Sequence, residues 1–263
     1  MVFTDNNRKV GVIGLGSVGR AVQKALEYFY TCIGFDVVGN YSWDAVVATD
    51  VVFVCVPTPE GPDGRLDCSI LDDILARLVH SEYVGLVAIK STIRVGYMER
   101  AIEKFAPLRL VYMPEFLREQ SSYVWFVNPD RLVVSGNVDD VDEALSYLQW
   151  VEDADILKLD HRSAEIGKLA HNAFIATKVS FTNEIEFICQ ELGGDPEKVM
   201  SIIWADRRVK SKEHLRPFLG PYGGKCVPKD TRELLLASSK SHLLKAVEEV
   251  NRVTAQRYSN GDN

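Results

Sequence analysis

Several things are missing from this chain of 263 residues, and each absence narrows what it can do. No apolar run approaches the roughly 18 residues of a membrane-spanning helix, and the start, Met1-Val-Phe-Thr-Asp-Asn-Asn-Arg-Lys9, precedes the first apolar stretch without a leader pattern. Neither a membrane span nor a signal peptide is expected. Dense Lys/Arg runs are also missing, and the net charge is −7. Nucleic acid and anionic membrane surfaces are therefore poor partners, while a local basic pocket for phosphate stays allowed. The cysteines Cys32, Cys55, Cys68, Cys189 and Cys226 are odd in number, scattered, and without a C-x-x-C pair. That usage fits a reduced, cytoplasmic setting with no disulfide framework, no zinc site and no other metal. There is no internal repeat and no low-complexity segment. With 46% apolar and 25% charged residues, disorder and fibrous architectures are excluded, and the length suits one large domain or two modest ones.

What is present falls into two styles. From Lys9 to about Lys158, short β-branched runs alternate with helical patterns: Val10–Ile13, Cys32–Phe35, Val51–Val56, Val84–Ile89, Leu108–Tyr112, Leu132–Val134 and Ile156–Leu159. Near-continuous apolar runs such as Val51-Val-Phe-Val-Cys-Val56 suit strands covered on both faces, which predicts a doubly wound α/β parallel sheet. Val18, Ala21, Val22, Ala25, Leu26 and Phe29 make one face of a first helix that should pack on it. After Asp160 the pattern turns helical. Residues 162–192 read as one long helix closed by Gly193-Gly194, and Asp195-Pro196 starts another. A Gly/Pro-rich loop over 217–224 leads into Lys225-Cys-Val-Pro-Lys-Asp230 and two further helices, the last over about Leu243–Tyr258. A domain boundary is expected near 160, giving a dinucleotide-binding domain over 1–160 and a helical domain over 161–263.

The motif Gly14-Leu-Gly-Ser-Val-Gly19 directly follows the first strand and opens the first helix. Alone it is an ordinary glycine turn. In this context Gly14, Gly16 and Gly19 allow a tight turn and close backbone approach, and the helix N-terminus offers free N–H groups to pyrophosphate. Asp36 lies 20 residues after Gly16, at the end of the second strand, where a carboxylate binds ribose hydroxyls and repels a 2′-phosphate. NAD is therefore expected in preference to NADP.

Among the cysteines, Cys226 is the reactive candidate; the other four read as small buried hydrophobes. Gly223-Gly224 permits close approach of a ligand, and Lys225, Lys229 and a nearby helix start favour the thiolate. Lys168 and Asn172 are i and i+4 on the long helix, hence on one face, among small and apolar neighbours. Glu115 and Glu119 follow one strand end, and Thr58 and Thr92 follow two others, where open α/β sheets bind ligands. Taken singly, these read as solvated, capping or turn residues.

Together the segments resemble the UDP-glucose dehydrogenase family, the NAD-dependent UDP-sugar 6-dehydrogenases. The resemblance rests on Gly14–Gly19, Phe53-Val-Cys-Val-Pro-Thr-Pro59, Lys90-Ser-Thr-Ile93, Pro114-Glu-Phe-Leu-Arg-Glu119, Lys168-x-x-x-Asn172 and Gly223-Gly-Lys-Cys-Val-Pro-Lys-Asp230, in family order. It implies a Rossmann-type domain, then a helical central domain whose long helix 162–192 makes a homodimer. It also implies oxidation of a sugar C6 alcohol to the acid, with two NAD reduced, through a cysteine thiohemiacetal and thioester. By resemblance Cys226 is the nucleophile, Lys168 and Asn172 stabilise oxyanions, Asp230 and Thr92 position or activate water, and Glu115 assists thioester hydrolysis. Thr58, Glu119 and Lys229 then line the cofactor side. Phe116, Leu117, the loop Leu215–Leu219 with Phe218, and Gly223 would touch the UDP-sugar, glucose being the default.

Three departures stand out. The family chain normally continues into a second α/β domain that completes the UDP site, and the polar stretch after Val250-Asn-Arg-Val253 leads to the expectation of a shortened form without it. Just 14 residues, Val37 to Asp50, link Asp36 to the third strand, and Tyr41 stands where the family usually has a basic residue. Two other readings follow: a hydroxyacid-type dehydrogenase of the same fold, which leaves Cys226 without a role, and a non-catalytic NAD- or UDP-sugar-binding subunit pairing with a longer partner.

Overall fold

In a parallel sheet covered on both sides, successive side chains alternate between two apolar layers, and the β-branched runs do this here. The computed structural model describes residues 8–117, 121–151 and 153–260. Strands β1 (Lys9–Ile13), β2 (Thr31–Phe35), β3 (Val51–Val54), β4 (Leu86–Ile89) and β5 (Arg109–Tyr112) form one parallel sheet in the order β2-β1-β3-β4-β5. Val52, Val54, Val87 and Ile89 enter one core with Leu71, Leu75 and Leu78 of α3 (Ser69–His80) and Met98 of α4 (Tyr97–Lys104). Val51, Phe53, Leu86 and Ala88 enter the other with α1 (Ser17–Leu26) and Ala144 of α6 (Val138–Ser146). Each fully buried Leu or Val contributes about 1.5–3 kcal/mol. The order reverses at β1, which makes the space beyond the carboxyl ends of β1 and β3 the natural ligand crevice.

The expected stripe on α1 is the buried one: Ala21, Val22, Ala25 and Leu26 are buried, with Val18 and Phe29 packed at its edge. Between β2 and β3 the chain holds a five-residue helix, α2 (Trp43–Val47), capped by Ser42 Oγ accepting from the Ala45 N–H. Two strands start or stop short of their apolar runs. Val84 is exposed, so β4 begins at Leu86, and β3 ends at Val54 where the chain turns toward Pro57.

The last two strands differ from the expectation of a single sheet. After α5 (Ser122–Val127), β6 (Arg131–Val134) pairs in parallel with β7 (Asp155–Lys158) as a separate two-stranded ladder. It meets β5 through one antiparallel bridge, with Tyr112 and Ser135 exchanging N–H···O bonds of 2.9 Å. All four residues of β7 are exposed, which is why its run lacks the double-faced apolar character of β3.

Two compact units result, the first comprising residues up to Pro59 and Leu66–Lys168, the second Glu60–Arg65 and the chain from Leu169 onward. The boundary read from the sequence at 160 lies at the head of α7 (His161–Leu192), and the units part inside that helix. In the second unit follow α8 (Pro196–Ala205), whose N-cap Asp195 accepts from the Glu197 and Lys198 N–H groups, α9 (Val227–Ala237) and α10 (His242–Asn260). Gly193, at φ +73°, ends α7 in the left-handed region that glycine tolerates best.

Candidate active site

In the first unit the glycine turn is built for close approach. Gly14 has φ +89°, and a side chain on Gly19 would sit 1.8 Å from the Gly14 carbonyl oxygen, so alanine at either position breaks the turn. Gly16 differs, since a Cβ there would meet nothing within 4 Å and would project into open space at the start of α1. Gly16 is the N-cap of that helix and supplies no side-chain cap, leaving the first-turn N–H groups and the positive dipole end for an anion. Asp36 closes the cradle. One carboxylate oxygen accepts from the Leu15 N–H at 2.6 Å and the other from the Val38 N–H at 3.0 Å, and these bonds, Val38 first, hold its carboxyl below the usual range. An ionised carboxylate with spare lone pairs therefore stands beside a helix N-terminus able to cradle an anion, an arrangement that fits NAD.

The strand ends nearby are tied together. Thr58 and Thr92 are buried, and the Thr58 hydroxyl donates to the Thr92 carbonyl at 2.7 Å. Glu115 accepts from the Leu117 N–H at 2.6 Å through one oxygen and lies 3.4 Å from Lys168 Nζ through the other. Lys168 is nearly fully buried, with its ammonium 5.1 Å from the Phe116 ring. Glu115, Phe116 and Leu117 line a cleft with Lys90, Phe126 and Arg131. This unit thus offers a desolvated cation next to a carboxylate, a pair able to hold an oxyanion and to move a proton.

In the second unit Cys226 is the N-cap of α9 and is exposed, and its carbonyl accepts from the Asp230 N–H at 3.0 Å. One turn later Asp230 is completely buried. It accepts from Asn172 Nδ2 at 2.6 Å and from Lys229 Nζ at 2.6 Å, one bond to each oxygen. The buried charge is thereby compensated, as burial of a carboxylate requires. Gly223 has open space where a Cβ would be. The loop before it places Phe218, at φ +63°, and Leu219 in solvent, while Leu215 accepts at its carbonyl from the Trp204 indole N–H at 3.1 Å.

Two family models match the chain, the UDP-glucose/GDP-mannose dehydrogenase family NAD binding domain over residues 40–150 and the central domain of the same family over 162–253. The chain belongs to this family. A UDP-glucose 6-dehydrogenase of Bacillus subtilis is 35% identical over 214 residues, covering 77% of this chain and 48% of the relative. One of Pseudomonas aeruginosa is 33% identical, covering 79% and 49%. The chain thus spans about half the length of these curated relatives. A UDP-glucose dehydrogenase structure from Pyrobaculum islandicum superposes with a TM-score of 0.84 at 27% identity, covering 94% of this chain and 68% of that one. The first unit is accordingly the NAD-binding domain of the UDP-glucose/GDP-mannose dehydrogenase family. Its family match begins after the glycine turn and Asp36, so that end of the cradle rests on its own geometry.

Within this family member the remaining cysteines are poor nucleophiles. Burial pushes the Cys32 and Cys55 thiols up to about 12, Cys189 is buried, and Cys68 is half-buried. Glu119 lies outside the described residues. Among the described residues no cluster could hold a metal ion, and no helix is long and apolar enough to cross a membrane.

The sequence reading missed three polar groups. Lys90 follows a wholly buried strand, is itself buried, and donates from Nζ to the Met113 carbonyl at 3.0 Å; burial pushes its pKa down. Its place at the end of a continuous apolar run was the available signal. Glu165, one turn before Lys168, is fully buried and accepts from the Gly96 and Met98 N–H groups at the head of α4. Glu233 is buried on α9 against Arg65.

Proposed function

We propose that the chain carries the chemistry of an NAD-dependent UDP-sugar 6-dehydrogenase, oxidising a sugar C6 alcohol to the carboxylic acid in two steps, with UDP-glucose as the first substrate to try. The observation that carries this reading is the head of α9, where exposed Cys226 stands one turn from a buried Asp230 gripped by Asn172 and Lys229. Family membership and the carboxylate-paired Lys168 support it. The relatives named as UDP-glucose 6-dehydrogenases are enzymes, which favours catalysis over a purely binding subunit.

Gly14, Gly16, Gly19 and Asp36 would hold NAD, with Thr58, Thr92 and Lys229 proposed to line the cofactor, and two NAD bound in turn would supply the hydride acceptors for the two oxidations. In the first step the C6 hydroxyl would give its proton to water and C6 would give a hydride to NAD, with Lys168 and Asn172 donating to the oxygen as it becomes carbonyl-like. Cys226 Sγ then adds to C6, forming the thiohemiacetal and holding the aldehyde in place. The thiohemiacetal would then lose its hydroxyl proton to water and a second hydride to a fresh NAD, leaving a thioester. Water activated by Asp230, with Thr92 positioning it and Glu115 assisting, cleaves the C–S bond, releasing the acid and returning the thiol. Phe116, Leu117, Leu215, Phe218, Leu219 and Gly223 would contact the UDP-sugar. A panel of UDP-sugars assayed by NADH absorbance tests the reading, which fails if none is oxidised.

We also propose that α7 mediates homodimerisation. Phe174, Phe181, Ile188 and Leu192 are exposed at spacings of seven, seven and four residues, a continuous apolar stripe along one side of the helix. Obligate dimer interfaces bury about 2,000–5,000 Å². A monomeric mass by light scattering at micromolar concentration would contradict this.

A further inference from the structure

The chain leaves Thr58 through Pro59 and enters a short segment, Glu60–Arg65, that packs with the second unit. Its turn is closed by the Gly61 N–H donating to the Arg65 carbonyl at 2.7 Å and the Gly64 N–H donating to the Gly61 carbonyl at 3.0 Å. Gly64, at φ +74°, lies so close to α9 that a Cβ there would stand 3.2 Å from Leu236 and 3.3 Å from Arg232. At the base of the turn Arg65 makes a two-bond grip on Glu233, Nε to Oε2 at 2.9 Å and Nη2 to Oε1 at 2.6 Å. Arg232 reaches back to Glu60 on one side and to Glu248 of α10 at 3.2 Å on the other, and Glu248 also accepts from the Tyr222 hydroxyl at 2.7 Å.

The position of Glu233 on α9 gives this grip a consequence. Cys226, Asp230 and Glu233 are at i, i+4 and i+7, one stripe along a single side of the helix, and Asp230 and Glu233 are both completely buried. A helix can shift along or rotate about its axis unless side chains at separated heights fix its azimuth. Asn172 holds α9 at the level of Asp230, and Arg65 holds it about one turn further on. The planar guanidinium matches the carboxylate fork, which makes the hold directional as well as attractive.

We propose that Arg65 is a positioning residue: by clamping Glu233 it fixes the rotation of α9 and so the presentation of Cys226 and Asp230, tying that presentation to the Glu60–Arg65 turn. The proposal rests on the dehydrogenase reading for its kinetic arm and on structure alone for its exchange arm. The fork, more than the charge, is the working feature. Arg65→Lys keeps a cation beside buried Glu233 and so keeps the fold, while losing the two-bond geometry. Arg65→Ala removes both.

The test uses the full chain in three forms: wild type, Arg65→Lys and Arg65→Ala. Hydrogen exchange is followed by mass spectrometry, with NAD affinity measured alongside. Amides of 227–233 should exchange about tenfold faster in Arg65→Lys, with peptides of β1, β3 and α3 unchanged and the NAD Kd within twofold of wild type. With an active UDP-sugar, kcat should fall about tenfold while the KM for NAD moves less than twofold. Arg65→Ala should show the same pattern more strongly. Unchanged exchange at 227–233 in both variants overturns the proposal, as does faster exchange spread evenly over the chain, which marks a merely structural pair. A wild type that oxidises no UDP-sugar defeats the dehydrogenase reading, and the exchange arm still decides whether Arg65 positions α9.

Discussion

Asn172 Nδ2 donates to Asp230 Oδ2 over 2.6 Å, joining α7 to α9 through two side chains that are both buried. The bond fixes the orientation of the Asn172 amide, whose oxygen lies 3.2 Å from His171 Nδ1. Removing it leaves a buried carboxylate with one donor fewer, which costs about 1–3 kcal/mol of stability. Asn172→Ala should therefore lower the unfolding midpoint, and loss of an oxyanion donor should lower kcat by about 10²-fold. Urea denaturation and steady-state kinetics on the same preparation check both, and a variant with wild-type kcat would remove Asn172 from the chemistry.

Thiol reactivity separates the cysteines. With thiols pushed up to about 12, Cys32 and Cys55 hold about one thiolate in ten thousand at pH 8, and burial shields Cys189. Iodoacetamide at that pH should label the exposed Cys226 first, with Cys32 and Cys55 lagging by orders of magnitude in peptide mapping. Equal labelling of Cys55 and Cys226 would contradict the assignment of Cys226 as the nucleophile.

Asp36 should set cofactor choice, because on the proposed binding of NAD its ionised carboxylate would repel a 2′-phosphate. NAD should bind more tightly than NADP, and Asp36→Ala should weaken NAD while narrowing the gap. Titration calorimetry with both cofactors checks this. Equal affinities for the wild type would exclude the role.

Much of this was legible in the sequence, and the reasons differ by element. The α1 stripe and the double-faced β3 run are local patterns, so period alone located them. Strand β7 is short and wholly exposed, and its membership of a separate ladder depends on a bridge between Tyr112 and Ser135 that no local pattern encodes. The helix start at Cys226 was legible because a glycine pair closes the loop just before it. The Arg65–Glu233 grip joins residues 168 apart, and each alone reads as a solvated charge. Burial of Glu233 is visible only when α9 is packed.

Glu165 gives a pH dependence of known sign. Burial raises its pKa above the ordinary carboxyl value even though the Met98 and Gly96 N–H groups pull the other way. Between the unfolded and the raised folded values, the folded carboxyl keeps a proton that the unfolded chain has lost. Stability from this group is therefore fully present below the unfolded value, near pH 4.3, and is lost as pH rises through the raised one. Glu165→Gln should flatten that part of the stability curve in urea titrations from about pH 4 to pH 7. Parallel curves for variant and wild type would contradict the burial argument.

The central claim is that Cys226 carries the sugar between two oxidations, and anaerobic turnover with UDP-glucose and excess NAD, read by NADH yield and intact mass, tests it most directly. Wild type should form two NADH per sugar oxidised, releasing the acid and no free aldehyde, and Asp230→Asn should accumulate the sugar as added mass on the peptide bearing Cys226. Cys226→Ser should bind NAD normally and form no acid. Undiminished acid production by Cys226→Ser would contradict the account.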